Sequence, residues 1–349
     1  MPVKKVFLTG ASGYIGGDAL FRLTNAYPTW DYYVLVRSSE QGEKIQKAFP
    51  NIKLVIGGLD DFEVVKNAAA AADVVVHTAD SSDHATSARA ISAGLRETHT
   101  ASKSGYYIHI SGTGILCWYD MEHKRYGEQP MEEFSYNDLE GVDALLNLPD
   151  HAFHRNVDKI VLEEAAQSEG AIKAAIVCPP TVYGIGRGAI NCRSRQVPVM
   201  IDMILEEGYA PVIGAGLSEN HNVHVQDLSN LIMLLASQAT NIEDSGYEKE
   251  IWGSQVYYLA ENGYHNWKNL AVSILEEAGR QGLVEGTGAR ELSCKVPQVR
   301  DDFEKLSWGL NSKGEARRAR KYLGWNPTMP SLKESLPGMV RWEAERRNQ

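Results

Sequence analysis

The sequence predicts an α/β protein in which a doubly wound parallel sheet carries a smaller C-terminal α/β cap. Two observations lead there. Short apolar runs alternate with helical segments through the first half, the pattern of a parallel sheet covered on both faces. Directly behind the first apolar run, Val6-Phe7-Leu8, comes a glycine-rich stretch, Thr9-Gly10-Ala11-Ser12-Gly13-Tyr14-Ile15-Gly16-Gly17.

Taken in order, residues 6–8, 32–36, 52–56, 74–77, 106–110 and 174–177 read as strands, being short, apolar and bounded by turn residues. Residues 14–24, 61–71, 87–101 and 156–169 between them read as helices. From Thr181 onward the texture loosens, and residues 184–188 and 208–216 are rich in structure-breaking glycine. A helix is expected over 198–207, a strand over 223–225, a helix over 228–236 and a strand over 256–259. Late helices are expected over 267–278, 313–322 and 331–344. These pieces are too irregular for a second doubly wound sheet. Residues 1–183, with returning segments near 221–240, therefore form the dinucleotide-binding domain; 184–220 and 241–349 form the cap and closing helices.

The chain has 349 residues, 43% hydrophobic and 23% charged, enough for a substantial core. A formal charge of -10 repels nucleic acid and anionic membrane. The cysteines Cys117, Cys178, Cys192 and Cys294 show no CxxC pairing or metal-ligand spacing, so they read as reduced thiols and no metal site is expected. Lys4 and Lys5 lead straight into a strand, and no stretch approaches a membrane span. A cytoplasmic protein acting on a small molecule is the expectation.

The glycine run points to a dinucleotide. Gly10 turns the chain, Gly13 lets phosphates approach, and Gly16 lets helix and strand pack closely. Ser12, Tyr14 and Ile15 stand where a helix begins and aims free N–H groups at a pyrophosphate. After the second strand the chain reads Val36-Arg37-Ser38 with no acid. Arg37 and Ser38 there favour NADP(H), whose extra phosphate an arginine neutralises, while NAD(H) stays possible. Asp60, after Leu59, either receives the adenine amino group or caps the next helix. His77-Thr78-Ala79 follows the fourth strand and runs beside the cofactor, with His77 read as a structural histidine.

These pieces resemble the extended short-chain dehydrogenase/reductase family, close to its epimerase, dehydratase and dihydroflavonol-reductase-like branch. The resemblance rests on Thr9 to Gly16, Leu59-Asp60, Val76-His77-Thr78-Ala79 and Ile110-Ser111-Gly112-Thr113. It extends to Cys178-Pro179-Pro180-Thr181-Val182-Tyr183-Gly184 and Val223-His224-Val225-Gln226-Asp227. It implies a hydroxyl after the fifth strand, matched by Thr113 with Ser111 as second candidate, and a Tyr-x-x-x-Lys on the next long helix. Lys159 matches that lysine, which holds the nicotinamide ribose, but the tyrosine position falls on Arg155. It also implies that Pro179 and Thr181 contact the nicotinamide, and that helices 87–101 and 156–169 form a homodimer interface.

Arginine stays charged across ordinary pH and is a poor proton donor, although it can stabilise developing negative charge. Three readings follow. An oxidoreductase acting on a carbonyl or hydroxyl of a small polar or anionic metabolite would use another acid, His154 being the nearest. Alternatively, Arg155 serves an anionic substrate positioned by Thr113, with water supplying the proton; non-redox lyase or isomerase chemistry belongs beside these. The third reading is a non-catalytic NADP sensor resembling the NmrA-like group. Arg187, Asn191, Arg193 and Arg195 are candidates for the substrate side, and Tyr119 or Tyr126 for a replacement proton donor. Asp227 is expected to cap the helix after it, His224 to buttress the cap, and the basic stretch 313–322 to face solvent.

Overall fold

The computed structural model describes residues 4–239, 246–285, 292–294 and 303–348. Fourteen strands are numbered here in chain order among those residues. β1 is Lys5–Thr9, β2 Asp31–Val36, β3 Ile52–Ile56, β4 Val74–His77, β5 Gly105–Ile110, β6 Ser135–Asn137 and β7 Ile172–Cys178. β8 is Thr181–Tyr183, β9 Pro211–Ile213, β10 Glu219–His224, β11 Tyr257–Leu259, β12 Tyr264–Asn266, β13 Leu292–Cys294 and β14 Lys313–Glu315. The main sheet has the order β11-β7-β5-β4-β1-β2-β3, with every neighbouring pair parallel. Successive strands are added to one side of β1 up to β3 and to the other side from β4 onward, and this switch between β1 and β4 opens a crevice at their carboxyl ends.

Both faces of this sheet are buried, which is why its strands read as continuous apolar runs. Val6, Leu8, Val74, Val76, Ile108 and Val177 enter one core, with helix Tyr14–Ala26 and the returning helix Val225–Gln238 over them. Phe7, Val75, Tyr107, Ala174 and Ile176 enter the other, under helices Phe62–Ala70, Ala85–Thr98 and Arg155–Gln167. A third core, around Tyr183, Ile201, Trp267 and Trp308, belongs to the cap and lies among helices Gln196–Glu207, Trp267–Arg280 and Leu332–Arg347. The remaining strands make small sheets, β12-β10-β8, β13-β9 and β14-β6.

The structure amends the sequence reading in several places. Helix Ser39–Ala48 was not expected, because its polar composition hides a buried pair, Gly42 and Ile45. Residues 313–315 form β14 rather than the start of a helix, and only Arg318–Leu323 is helical. That stretch is not simply solvated. Arg318 is buried, donating from Nε to the Asp138 carbonyl at 2.9 Å and from Nη1 to the Glu250 carbonyl at 2.6 Å. Asp227 is not an N-cap; His224 occupies that position, its Nδ1 accepting from Gln226 N at 3.2 Å. Asp227 instead accepts the N–H groups of Thr328 and Met329 and ties the closing segment to the domain. β11, from the C-terminal half, completes the main sheet.

Asp138 fastens that edge. Its buried carboxylate accepts N–H groups from Leu259 at 2.9 Å, Arg317 at 2.7 Å and Arg318 at 2.8 Å, joining β11 to the late helix. Burial pushes its carboxyl up to about 6 against these bonds. Asp138→Ala leaves three donors unsatisfied and is expected to cost on the order of 3 kcal/mol or more in urea denaturation. The folded-state pKa is raised, so this group's contribution is greatest below the unfolded carboxyl pKa and is lost as pH rises through about 6. The stability of the protein relative to Asp138→Asn should therefore decline between pH 4 and pH 7.

Candidate active site

Two cavities open at the carboxyl ends of the parallel strands. The first, of about 310 Å³, is lined by Gly10, Ser12, Gly13, Arg37, Leu59, Thr78 and Ala79, all expected, and by Leu35, Gln41, Gly57, Gly58 and Asp80. Its floor is the turn after β1, closed by Gly13 N donating to Gly10 O at 2.8 Å. Gly10 has φ +83°, and a Cβ there would lie 2.8 Å from Ala79 N. Gly13 holds the N-cap of the first helix with no side-chain cap, leaving first-turn N–H groups to an anion. Bare backbone, a helix N-terminus and a cationic side chain at the rim are a donor set that fits a dinucleotide.

Other expected cofactor residues support this cavity from outside. Gly16 packs against the residue that follows β4: a Cβ there would stand 2.2 Å from Thr78 Oγ1. Ile15 packs on a core, and the Tyr14 hydroxyl donates to Gly184 O at 2.7 Å. The Ser38 hydroxyl is engaged as an N-cap, accepting from Gln41 N. Asp60 caps no helix; Asp61 holds that position, and Asp60 lies exposed with His84 Nε2 at 3.2 Å. His77 is fully buried between Thr9 Oγ1 at 2.7 Å and Ser87 Oγ at 2.9 Å, and burial holds it well below the usual histidine range, hence neutral.

The second cavity, of about 180 Å³, holds the expected Thr113, His154, Pro179 and Thr181 together with Cys117, Arg195, Gln196, Asn220, Glu304, Ser307 and Ser312. Thr113 N donates to Pro179 O at 3.0 Å, so the loops after β5 and β7 are one unit. Ser312 Oγ lies 2.8 Å from Thr113 Oγ1 and 2.9 Å from its carbonyl oxygen. His154, with φ +66°, precedes helix Arg155–Gln167 and lays its ring over Gly112 and Gly114. A Cβ on Gly114 would lie 2.9 Å from Nε2. On the other side of the ring, Nδ1 is 2.8 Å from Asp83 Oδ1, and this bond depresses the Asp83 carboxyl. Cys117 is no nucleophile, because burial pushes its thiol up to about 12.

Arg155 and Lys159 line neither cavity. At the first helical position, after the left-handed turn at His154, Arg155 points inward beneath the helix. Its Nη1 donates to the Tyr257 hydroxyl at 3.3 Å and its Nη2 to the Leu146 carbonyl. Tyr257 in turn donates to the buried Asp158 at 3.0 Å. Lys159 pairs with Asp150 at 2.8 Å on the surface. Ser111 is buried beside Cys178, outside the cleft. Tyr119 stacks on Phe134 and Tyr126 packs on the cap core, so neither lines the cleft. Arg187 is held by Asp18, Arg193 by Glu343 and Asp202, and Asn191 accepts from Arg193 N; only Arg195 of that group reaches the cleft. Sequence reasoning missed Asp83, Asn220, Glu304 and Ser312, which come from four distant segments. Of these, only Asp83 left a trace, the polar run after β4.

Among the described residues no group of three or more His, Cys, Asp or Glu could hold a metal ion, and no helix is long and apolar enough to cross a membrane.

This sheet order and crevice give the chain a doubly wound Rossmann-type fold with a smaller C-terminal cap, the fold shared with an NAD-bound dehydratase and a nucleotide-sugar epimerase. The chain is 35% identical over 346 residues to "Oxidase ucsJ" of Acremonium sp, covering 98% of each, and it belongs to the same family. An uncharacterised protein of Schizosaccharomyces pombe is 25% identical over 337 residues, 95% of this chain and 98% of its own. No family model matches the chain. Among solved structures, the dTDP-glucose 4,6-dehydratase DesIV of Streptomyces venezuelae, with NAD bound, superposes with a TM-score of 0.67 at 16% identity, covering 99% of this chain and 98% of that one. A UDP-glucose 4-epimerase of Thermotoga maritima gives 0.63 at 16% identity over 99% of both chains.

The buried position of Arg155 carries a test. Arg155→Met removes the buried cation that donates to the Tyr257 hydroxyl and the Leu146 carbonyl, and is expected to cost about 3 kcal/mol of stability by urea denaturation. Cofactor affinity of the folded variant, measured by calorimetry, should match that of the unaltered protein.

Proposed function

We propose that this protein is an NADP(H)-dependent oxidoreductase that interconverts a carbonyl and a hydroxyl on a small polar metabolite, with His154 as its proton donor and acceptor. One observation carries this reading. The imidazole of His154, anchored by Asp83, shares a cleft with Thr113, whereas Arg155 is turned into the core. The name of the Acremonium relative, an oxidase, agrees with redox chemistry.

Gly10, Gly13, Arg37 and Thr78 would hold a nicotinamide dinucleotide, which would supply or accept a hydride. Thr113 positions the substrate oxygen. Asp83 accepts the Nδ1 proton of His154, which sets the tautomer and leaves Nε2 facing the cleft. In reduction Nε2 of the imidazolium would give its proton to the oxygen of the carbonyl being reduced, and His154 would regain a proton from solvent. In the reverse direction, neutral Nε2 would accept the proton of the hydroxyl being oxidised. Arg37 at the rim, with no acid beside it at the end of β2, favours the 2′-phosphate of NADP(H).

A second reading, lyase or isomerase chemistry on a sugar nucleotide, draws on the activities named for DesIV and the Thermotoga epimerase. Net oxidation of added NADPH separates the two readings.

His154→Asn is expected to lower kcat by roughly 10²–10⁴-fold with cofactor affinity unchanged, as for loss of a general acid. Tight NADPH binding without turnover on a panel of carbonyl compounds would refute catalysis and leave a sensor. Arg37→Asp should weaken NADPH binding by about tenfold or more relative to NADH, the equivalent of one charge-assisted bond. An unchanged ratio would remove Arg37 as the selector.

A further inference from the structure

The cleft beside His154 also carries information about what it binds. Two of its lining side chains are buried with a polar atom that has no hydrogen-bond partner. Asn220 is 5% exposed and its Oδ1 is unpartnered; Thr181 is 1% exposed and its Oγ1 is unpartnered. Leaving such atoms unsatisfied costs free energy, so a ligand that supplies the missing partner is favoured over one that does not. An amide oxygen accepts only, so the group opposite Asn220 must be a donor, a hydroxyl or an N–H.

The charges decide the rest. Among the described residues lining the cleft, Arg195 is the one permanent cation, and its Nη2 is paired with Glu304 in the same wall. Arg195 also acts on the Asp83 carboxylate, which holds His154. Against one guanidinium, then, stand two carboxylates, Glu304 and Asp83, with His154 adding at most one positive charge. No positive excess awaits an anion, and a phosphate or diphosphate would enter without a counter-charge. At about 180 Å³ the cleft is also below the roughly 300–1,000 Å³ usual for drug-sized ligands.

We propose that the cleft takes a small neutral hydroxylated carbonyl compound in preference to its phosphorylated counterpart or a sugar nucleotide, with Asn220 reading a substrate hydroxyl. This rests on the placement of the reaction beside His154 and narrows the expected polar or anionic substrate to the uncharged kind. Asn220 acts as a specificity residue, accepting from the ligand through an oxygen that is otherwise unpaired. Glu304 holds Arg195 and removes the charge that would recruit an anion.

Calorimetry on the full chain saturated with NADP⁺ tests it directly, with matched probes: D-glyceraldehyde against D-glyceraldehyde 3-phosphate, dihydroxyacetone against its phosphate, and UDP-glucose. The neutral member of each pair should bind at least tenfold more tightly than the phosphate, and UDP-glucose more weakly still. Asn220→Leu should raise the Kd of the neutral probes tenfold or more while NADP⁺ affinity stays constant. Asn220→Asp, which keeps an acceptor at that place, should retain neutral binding. Tighter or equal binding of a phosphorylated probe or UDP-glucose, no binding of any neutral probe, or indifference to both Asn220 variants overturns the proposal. Neutral binding without NADPH oxidation upholds it and counts against the redox reading instead.

Discussion

The close approach of the turn after β1 to the end of β4 is the constraint on which this molecule is built. Thr78 Oγ1 donates to Thr9 O at 2.7 Å, and Thr9 Oγ1 accepts the N–H groups of Thr78 and Ala79 at 3.2 and 3.3 Å. At this spacing only hydrogen fits at Gly10 and Gly16, since a Cβ on Gly16 would also stand 2.3 Å from Gly10 O. The crevice is therefore floored by backbone rather than by side chains. Neutral His77 completes the joint by linking Thr9 to Ser87, and so ties β1 to the helix that follows the next loop.

That loop carries the constraint to the second cavity. Asp80, with φ +44°, lines the first cavity, while Asp83 three residues later holds His154 in the second. His84 closes the loop as the N-cap of Ala85–Thr98, bonded to Ser87 N. Five residues thus span both cavities, and the position of the imidazole depends on a strand it does not touch. Beneath it, Arg155, Tyr257 and Asp158 fill the space between helix and sheet with a hydrogen-bonded polar chain. A buried carboxylate there requires a nearby cation. His109 Nε2 stands 3.6 Å from Asp158 Oδ1, and Arg155 reaches Asp158 through the Tyr257 hydroxyl, so at the position where the family resemblance implies a tyrosine the arginine is tied into this buried chain.

How much of this the sequence discloses depends on how far apart the cooperating residues stand. The six strands of the first half and the glycine turn are contiguous patterns, and each emerged within about two residues of its expected place. Seven residues anticipated for the cofactor line the cavity for the same reason. Ser38 and Asp60 stand outside the cavity lining; a short polar side chain after a strand serves equally as ligand or cap, and at Ser38 the hydroxyl accepts from Gln41 N. β14 escaped because three residues pairing with β6 across 178 positions carry no period of their own. The expected helix over 313–322 was drawn by the basic run, whose arginines in fact answer to Asp138, Glu261 and Glu315.

The same contrast explains why the resemblance serves the two halves of the site unequally. A phosphate-binding turn is made by backbone, and any sequence with glycines at those intervals will form it once the strand and helix are in place. A proton donor is made by one side chain and its aim. Here the aim turns on the left-handed residue His154, which sends its own ring over Gly114 and Arg155 to the opposite side of the helix start. A register carried over from relatives identifies the turn of helix but not the direction in which its side chains leave. The role proposed for His154 accordingly rests on the Asp83–His154 contact, made between residues 71 positions apart, and not on the helix motif.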